Sequence, residues 1–313
     1  MLGRFWVEDF RTVPPPEQDG YIEEMNRLCK LYNIDLVIPQ TTRETAILAA
    51  NLRKVNVPVT VSSGASVRKA NNKADLLRVF RKLGLPSPRY YVVKSADELG
   101  EKARRLGYPS RRVVVRPPVS FGGRGFRILS ETLGLTREEF LAEKPIPAEI
   151  TVERLKGILA NDGGSDFPEL LLTEFLPGAE YSVDAFVGKK IRVAIPRVRE
   201  KIVDGISFRT TLEYRADLSR YTLAAAKEIG LKYAFGFQFK LDAAGVPKVL
   251  ECNPRVQGTM VASLFGGPNI IWMAAKEALG EPPTGVPRRQ KAASFIRFWG
   301  GAGVSDGRLV DEI

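Results

Sequence analysis

The chain of 313 residues contains no histidine. Without an imidazole it has no Ser-His-Asp or Cys-His nucleophile pair, no HExxH zinc site, no His-ligated iron and no histidine-type kinase catalytic loop. Cysteine is almost as scarce. Cys29 and Cys252 are the only thiols, too few for a four-cysteine zinc site and not arranged as CxxC. They read as buried hydrophobes in a reducing compartment. Long apolar runs are also missing: no stretch approaches the roughly 18–20 residues that a membrane helix needs. Met1 to Asp9 holds no signal-peptide apolar core. A cytoplasmic protein is expected.

What the chain does have is charge. Lys and Arg number 47 against 36 Asp and Glu, a net charge of +11, with 44% hydrophobic residues and a mean hydropathy of −0.12. This is a soluble globular composition, long enough for two or three compact units. The excess of positive charge suits ligands bearing phosphates and carboxylates, and suits nucleic acid equally. It is spread along the chain, with no aromatic-basic binding motif, which disfavours nucleic acid.

Apolar spacing predicts a helix over 21–33, a buried strand at Leu36-Val37-Ile38, a helix over 44–55 and a strand at Pro58–Val61, an alternation typical of a parallel sheet with helices on its faces. Asn72 reads as the N-cap of a helix through Leu83. Strands at 90–93 and 113–115 flank a helix over 96–106. Residues 130–168 read as a helix plus a mobile loop. An antiparallel meander of three strands follows (170–174, 181–187, 191–196), then a helix over 219–229, a hairpin pairing 235–241 with 246–252, and a helix over 270–279. Trp6, Trp272 and Trp299 read as core or edge packing.

Three constellations carry chemistry. In Glu251-Cys252-Asn253-Pro254-Arg255, strand alternation puts Glu251 and Asn253 on one face and Cys252 in the core. A hairpin symmetric about Ala243-Ala244 brings Gln238 diagonally close to Glu251. Three oxygen-bearing side chains then converge, a donor set suited to Mg²⁺, with Arg255 one step beyond to meet phosphate oxygens. A salt-bridged strand end is the equal alternative. In the second constellation, strand Val113–Val115 ends at the cation Arg116, followed by Ser120, Gly122, Gly123 and Gly125, whose backbone N–H groups can approach phosphates closely. The loop is neither a Walker A nor a Rossmann fingerprint, and taken alone it reads better as a flexible hairpin. The third is the strand end Glu174-Phe175-Leu176, whose edge can pair with an adenine, with Glu180 placed to accept from ribose hydroxyls. Two exposed carboxylates beside a turn would look the same. A strip of Arg197, Arg199, Lys201 and Arg209 after the third meander strand offers bidentate contacts to a substrate carboxylate, or is a solvated face.

Taken together and in this order, these motifs resemble the ATP-grasp superfamily, in its carbamoyl-phosphate-synthase-like branch, from about Leu36 to about Gly280. The resemblance implies an α/β and α+β chain: a partial, Rossmann-like pre-ATP-grasp parallel sheet (1–68), then an ATP-grasp fold of two α+β subdomains (69–172 and 173–313). It implies an ATP- and Mg²⁺-dependent carboxylate–amine ligase acting through an acyl phosphate, with Mn²⁺ able to replace Mg²⁺ and a small carboxylate as second substrate. Lys73 and Arg116 then contact phosphates. Glu174, Phe175 and Leu176 hold adenine, and Glu180 holds ribose. Gln238, Glu251 and Asn253 ligate the metal, and Arg255, with Arg116, acts on the transferred phosphate. Gln238 stands where many relatives carry a carboxylate, so the metal is expected to bind well only with nucleotide. The chain opens at a point that looks midway through the first domain, which would expose a sheet edge and favour a homodimer or an unstable N-terminus. A non-catalytic or regulatory ATP-binding module is the alternative, and a basic nucleic-acid-binding protein the weaker one.

Overall fold

A computed structural model describes residues 2–120, 122–131, 149–160, 167–281, 283–284, 291–298, 300, 302–305 and 308–312. Most of the expected loop at 130–168, together with Phe121 and Trp299, lies outside them.

The first segment packs helices α1 (Tyr21–Leu31) and α2 (Thr42–Ala50) over Val37, Val59 and Val61. A capping box starts α2, with Thr41 and Glu44 satisfying each other's backbone N–H groups. The expected parallel sheet is reduced here to one bridge, Val37 to Val59. Pro39 and Pro58 bound the two apolar runs and leave little ladder to form. Helices α3 (Gly64–Asn71) and α4 (Lys73–Lys82) meet at Asn72, whose side chain accepts from the N–H groups of Ala74 and Asp75. This cap fixes the direction of Lys73, the first residue of α4.

A five-stranded sheet follows, in the order β1-β5-β2-β3-β4. Its strands are β1 (Tyr90–Val93), β2 (Val113–Arg116), β3 (Arg127–Leu129), β4 (Glu149–Ile150) and β5 (Leu170–Glu174). The expected boundary at 172/173 cuts β5, which belongs wholly to this sheet. Helices α5 (Ala96–Leu106) and α6 (Val152–Ala160) bury Leu99, Ala103, Leu106 and Leu155 against Val93, Val113, Val115 and Leu172.

The second sheet is antiparallel and six-stranded, in the order β10-β9-β6-β7-β8-β11. It contains β6 (Glu180–Val187), β7 (Arg192–Val203), β8 (Ile206–Leu212), β9 (Tyr233–Leu241), β10 (Pro247–Asn253) and β11 (Ser294–Ile296). The meander therefore differs from expectation. Strand β7 runs past Pro196 and turns back at Asp204-Gly205, whose φ values of 49° and 77° are those a tight two-residue hairpin needs. Arg197, Arg199 and Lys201 thus lie within β7 and Arg209 within β8. One face of this sheet carries Val183, Ala185, Phe235, Phe237, Phe239, Val249 and Cys252 against α4 and α7 (Ala216–Ile229), forming the main core. Beyond β10, a 3₁₀ turn (Met260–Phe265) and α8 (Ile270–Ala278) pack on the other face near Phe186 and Ile195. Among the described residues, strands β12 (Ala302–Ser305) and β13 (Arg308–Glu312) pair with each other as a separate two-stranded sheet. Trp6 and Trp272 are more than half exposed, not core residues. No helix among the described residues is long and apolar enough to cross a membrane.

Candidate active site

Opposite the phenylalanine core, the six-stranded sheet presents a polar face. One row crosses it from Glu251 (β10) to Gln238 (β9), Ser182 (β6) and Arg197 (β7). Glu251 and Gln238 are direct partners, closer than the diagonal placement expected, because the β9–β10 register slips by one residue at Leu250. A bulge leaves its extra residue outside the ladder. The Leu250 carbonyl is taken by Arg116, whose guanidinium donates to it at 2.9 Å from the end of β2 in the other sheet. One irregularity therefore sets the register of the acidic residue and anchors a cation beside it.

Arg116 is only 8% exposed, and its Nε has no partner among the described residues. Burial lowers its pKa, opposed by Glu251 and Glu180. Lys73, also buried, donates from Nζ to the Ser120 carbonyl at 3.0 Å and lies 3.8 Å from Glu251. Burial pulls the Lys73 ammonium below its usual range, Glu251 pushes it back up, and Arg116 lowers it further. Two buried cations share one carboxylate, and the excess positive charge favours an anionic ligand. The loop that follows β2 supports this arrangement. Ser120 meets Lys73, while Gly122 and Gly123 hold φ of 61° and 72°, a conformation that leaves their N–H groups free of a neighbouring Cβ.

Asn253 donates to Glu251 at 3.3 Å. Two residues on, Arg255 turns toward the first segment, donating from Nε to the Thr42 hydroxyl at 3.2 Å and from the guanidinium to the Val256 carbonyl. Burial lowers its pKa while Glu251 and Glu44 oppose the shift. The N-terminal segment thus forms part of the wall of the site. In the next row, Asn253–Gly236–Asp184, the missing side chain at Gly236 is replaced by the amide of Gln257. Gln257 is 8% exposed, and its Nε2 has no partner among the described residues. The sequence reading missed Gln257. The available signal was a glycine within a strand of large residues, which marks close approach of another group.

At the other end of the face, Glu174 accepts from the Arg89 backbone N–H and side chain and from Lys248 at 2.7 Å. Burial alone would raise its pKa, but these bonds outweigh it and hold the carboxyl below its usual range. Phe175 stacks under the Arg112 guanidinium, 4.1 Å from its ring centroid. Leu176 is buried, and its backbone N–H and carbonyl make no hydrogen bond among the described residues. Glu180 is ion-paired with Arg199, which also donates to Ser207, the Gly205 carbonyl and Gln238. Arg197 is 1% exposed and forms a two-point pair with the buried Asp184, Nε to carboxylate 2.8 Å. Arg209 sits outside on Glu200 at 2.6 Å. The expected cationic strip is therefore divided among a buried pair, a bridge to the face and a surface pair.

The arrangement of a five-stranded and a six-stranded sheet has counterparts in known proteins. The family described as "ATP-grasp in the biosynthetic pathway with Ter operon" matches residues 166–297. The carbamoyl phosphate synthase large chain of Pyrococcus furiosus is 29% identical over 250 residues, covering 76% of this chain and 21% of the relative. The chain carries an ATP-grasp domain. It spans about one fifth of the length of such relatives. Among solved structures, the ADP complex of N5-carboxyaminoimidazole ribonucleotide synthetase superposes with a TM-score of 0.69 at 17% identity, covering 92% of this chain and 70% of that one. The biotin carboxylase domain dimer of the Hydrogenobacter thermophilus 2-oxoglutarate carboxylase, with MgADP, ADP and bicarbonate, superposes with a TM-score of 0.65 at 19% identity, covering 90% and 61%.

In this ATP-grasp domain the candidate metal donors are one carboxylate and two side-chain amides. No group of three His, Cys, Asp or Glu residues suited to a metal occurs among the described residues. Oxygen donors of this kind suit a hard divalent cation. One negative charge beside two cations holds such an ion only when a second anion shares it.

Proposed function

We propose that the domain binds Mg²⁺-ATP between its two sheets and uses it to phosphorylate a small carboxylate. An amine or similar nucleophile then displaces phosphate from the acyl phosphate, most simply forming a carbon–nitrogen bond. The observation that carries this reading is the pair of buried cations, Lys73 and Arg116, both attracted by Glu251. Such a pair is costly to bury without an anion, and phosphoryl transfer needs charge neutralisation and positioning rather than an imidazole base.

Lys73, Arg116 and Arg255 offset charge on the transferred phosphoryl group. Ser120, Gly122 and Gly123 line its path. The Glu174–Leu176 backbone, with Phe175, receives the adenine, and the unbonded Leu176 peptide supports that assignment. Glu180 takes the ribose. Glu251, Asn253 and Gln238 would hold Mg²⁺, or Mn²⁺ in its place, and the ion would neutralise phosphate charge. Arg199 reaches the face from its edge and is better placed than Arg197 or Arg209 to meet a carboxylate. A homodimer and a cytoplasmic setting complete the proposal.

The test is ADP and phosphate release from Mg²⁺-ATP across amino acids, small carboxylates and bicarbonate, each with and without ammonia or an amine. Release that depends on one carboxylate, and is abolished in Glu251→Ala, is the expected result. Near-normal turnover in Glu251→Ala would refute the metal assignment. ATP binding without release under any condition would favour a regulatory module.

A further inference from the structure

Arg255 takes its direction from a residue 213 positions earlier in the chain. Thr42, the first residue of α2, is 8% exposed, and its hydroxyl accepts from Arg255 Nε at 3.2 Å. That hydroxyl has no part in starting the helix. The start is made by Thr41, whose side chain accepts from the Glu44 N–H, while the Glu44 carboxylate accepts from the N–H groups of Thr41 and Gln40. Among the described residues the Thr42 hydroxyl makes no other hydrogen bond. Folding of α2 accounts for Thr41 and Glu44 and leaves Thr42 unexplained.

Both groups that hold Arg255 are uncharged. Thr42 takes Nε and the Val256 carbonyl takes a second N–H at 2.8 Å, so of the five N–H groups on a guanidinium three remain for a ligand. No carboxylate is ion-paired with Arg255 among the described residues, and that of Glu44 is committed to the helix cap. Two other arginines of the sheet differ in this respect. Arg197 is paired with Asp184 and Arg199 with Glu180. A carboxylate would orient a guanidinium and cancel its charge, whereas a hydroxyl orients it and leaves the charge whole. A fixed, uncancelled charge is what stabilises a phosphoryl group in transit, because nothing has to reorganise as charge develops. We infer that Thr42 is a positioning residue that aims Arg255 at the transferred phosphate without neutralising it, an inference that rests on the Mg²⁺-ATP reading. The first segment then serves the chemistry through α2, beyond closing the site.

The test uses the full chain, with orthovanadate standing in for the transferred phosphoryl group and titrated by calorimetry onto the MgADP complex. Thr42→Val replaces the hydroxyl by a methyl group of similar size. It should keep MgADP affinity and weaken vanadate binding about tenfold or more, the scale on which a displaced catalytic group is felt. Thr42→Ser keeps the hydroxyl and should bind vanadate as the parent does. The sharper variant is Thr42→Asp, which retains an acceptor for Nε and suits the start of a helix, so the thermal midpoint holds or rises. Its charge cancels that of Arg255, and vanadate binding should fall about tenfold or more. A role confined to folding would leave Thr42→Asp as good as the parent in both measurements. The Arg255 Nε–H resonance, assigned by its loss in Arg255→Lys, should exchange with water faster in Thr42→Val and at the parent rate in Thr42→Ser. A parent complex that takes up no vanadate, undiminished vanadate binding in Thr42→Val or Thr42→Asp, or loss of MgADP together with vanadate in Thr42→Val would each overturn this inference alone. A parent that binds no MgADP would refute the Mg²⁺-ATP reading, and the inference with it.

Discussion

Replacing Gly236 by alanine tests whether the loop after β10 is locked to the sheet by a single side chain. A Cβ at Gly236 would stand 1.2 Å from Nε2 of Gln257, 2.3 Å from its Cδ and 2.9 Å from its Cγ. No Cβ tolerates such distances, and Gln257 is buried and cannot simply swing into solvent. The φ of Gly236 is ordinary for a strand, so alanine carries no backbone penalty and the whole effect is steric. Overpacking of this kind costs about 1–3 kcal/mol, on the order of 2–12 °C in midpoint for a domain of this size. The loop that moves also carries Arg255, so turnover should fall further than stability. Gln257→Ala removes the obstacle. The double variant Gly236→Ala/Gln257→Ala should therefore recover most of the loss, giving a coupling of about 1–3 kcal/mol in a double-mutant cycle read by urea unfolding. If Gly236→Ala is as stable as the parent, or the double variant is no better than the single one, Gln257 does not occupy the notch and the argument fails.

Other expectations follow from the charges. Arg197→Met strands Asp184 in the core, where burial already pushes its carboxyl up against the pull of Arg197; a loss of about 3–5 kcal/mol in urea unfolding is expected, largely restored by Asp184→Leu alongside it. Glu174 has a carboxyl held below its ordinary value of 4.5 in the fold, so it contributes stability above that value and loses it as pH falls through the depressed one. Acid unfolding should be less steep in Glu174→Gln, and an unchanged acid limb would contradict the Arg89–Glu174–Lys248 bridge. Lys73, lowered by burial, should regain its proton when a polyphosphate binds. Calorimetry at alkaline pH in two buffers of different ionisation enthalpy should show proton uptake in the parent and none in Lys73→Ala.

Much of the architecture was legible because it rests on local rules. Asn72 caps α4 as its side chain dictates, and β1 and α5 begin and end where their apolar spacing places them. Alternation in β10 sends Cys252 into the core and Glu251 and Asn253 to the opposite face, as one strand seen alone requires. The turn at Asp204-Gly205 carried a clear hairpin signal that the reading passed over in favour of Pro196, although β7 tolerates the proline where its partner β8 ends at Leu212. The Val37–Val59 pair failed as a sheet because alternating elements say nothing about how many strands will join.

What the sequence determined by itself is the set of groups available and the faces on which short-range periodicity puts them: no imidazole, a glutamate and asparagine sharing a strand face, glycines after a cationic strand end. Which of those groups meet is settled by long-range packing. The slip at Leu250 aligns Glu251 with Gln238 and offers a carbonyl to Arg116 from another sheet, Asp184 rather than a ligand claims Arg197, and Gln257 fills the space above Gly236. Each of these depends on contacts between residues distant in the chain, whose energies are set by burial and geometry that no local pattern encodes.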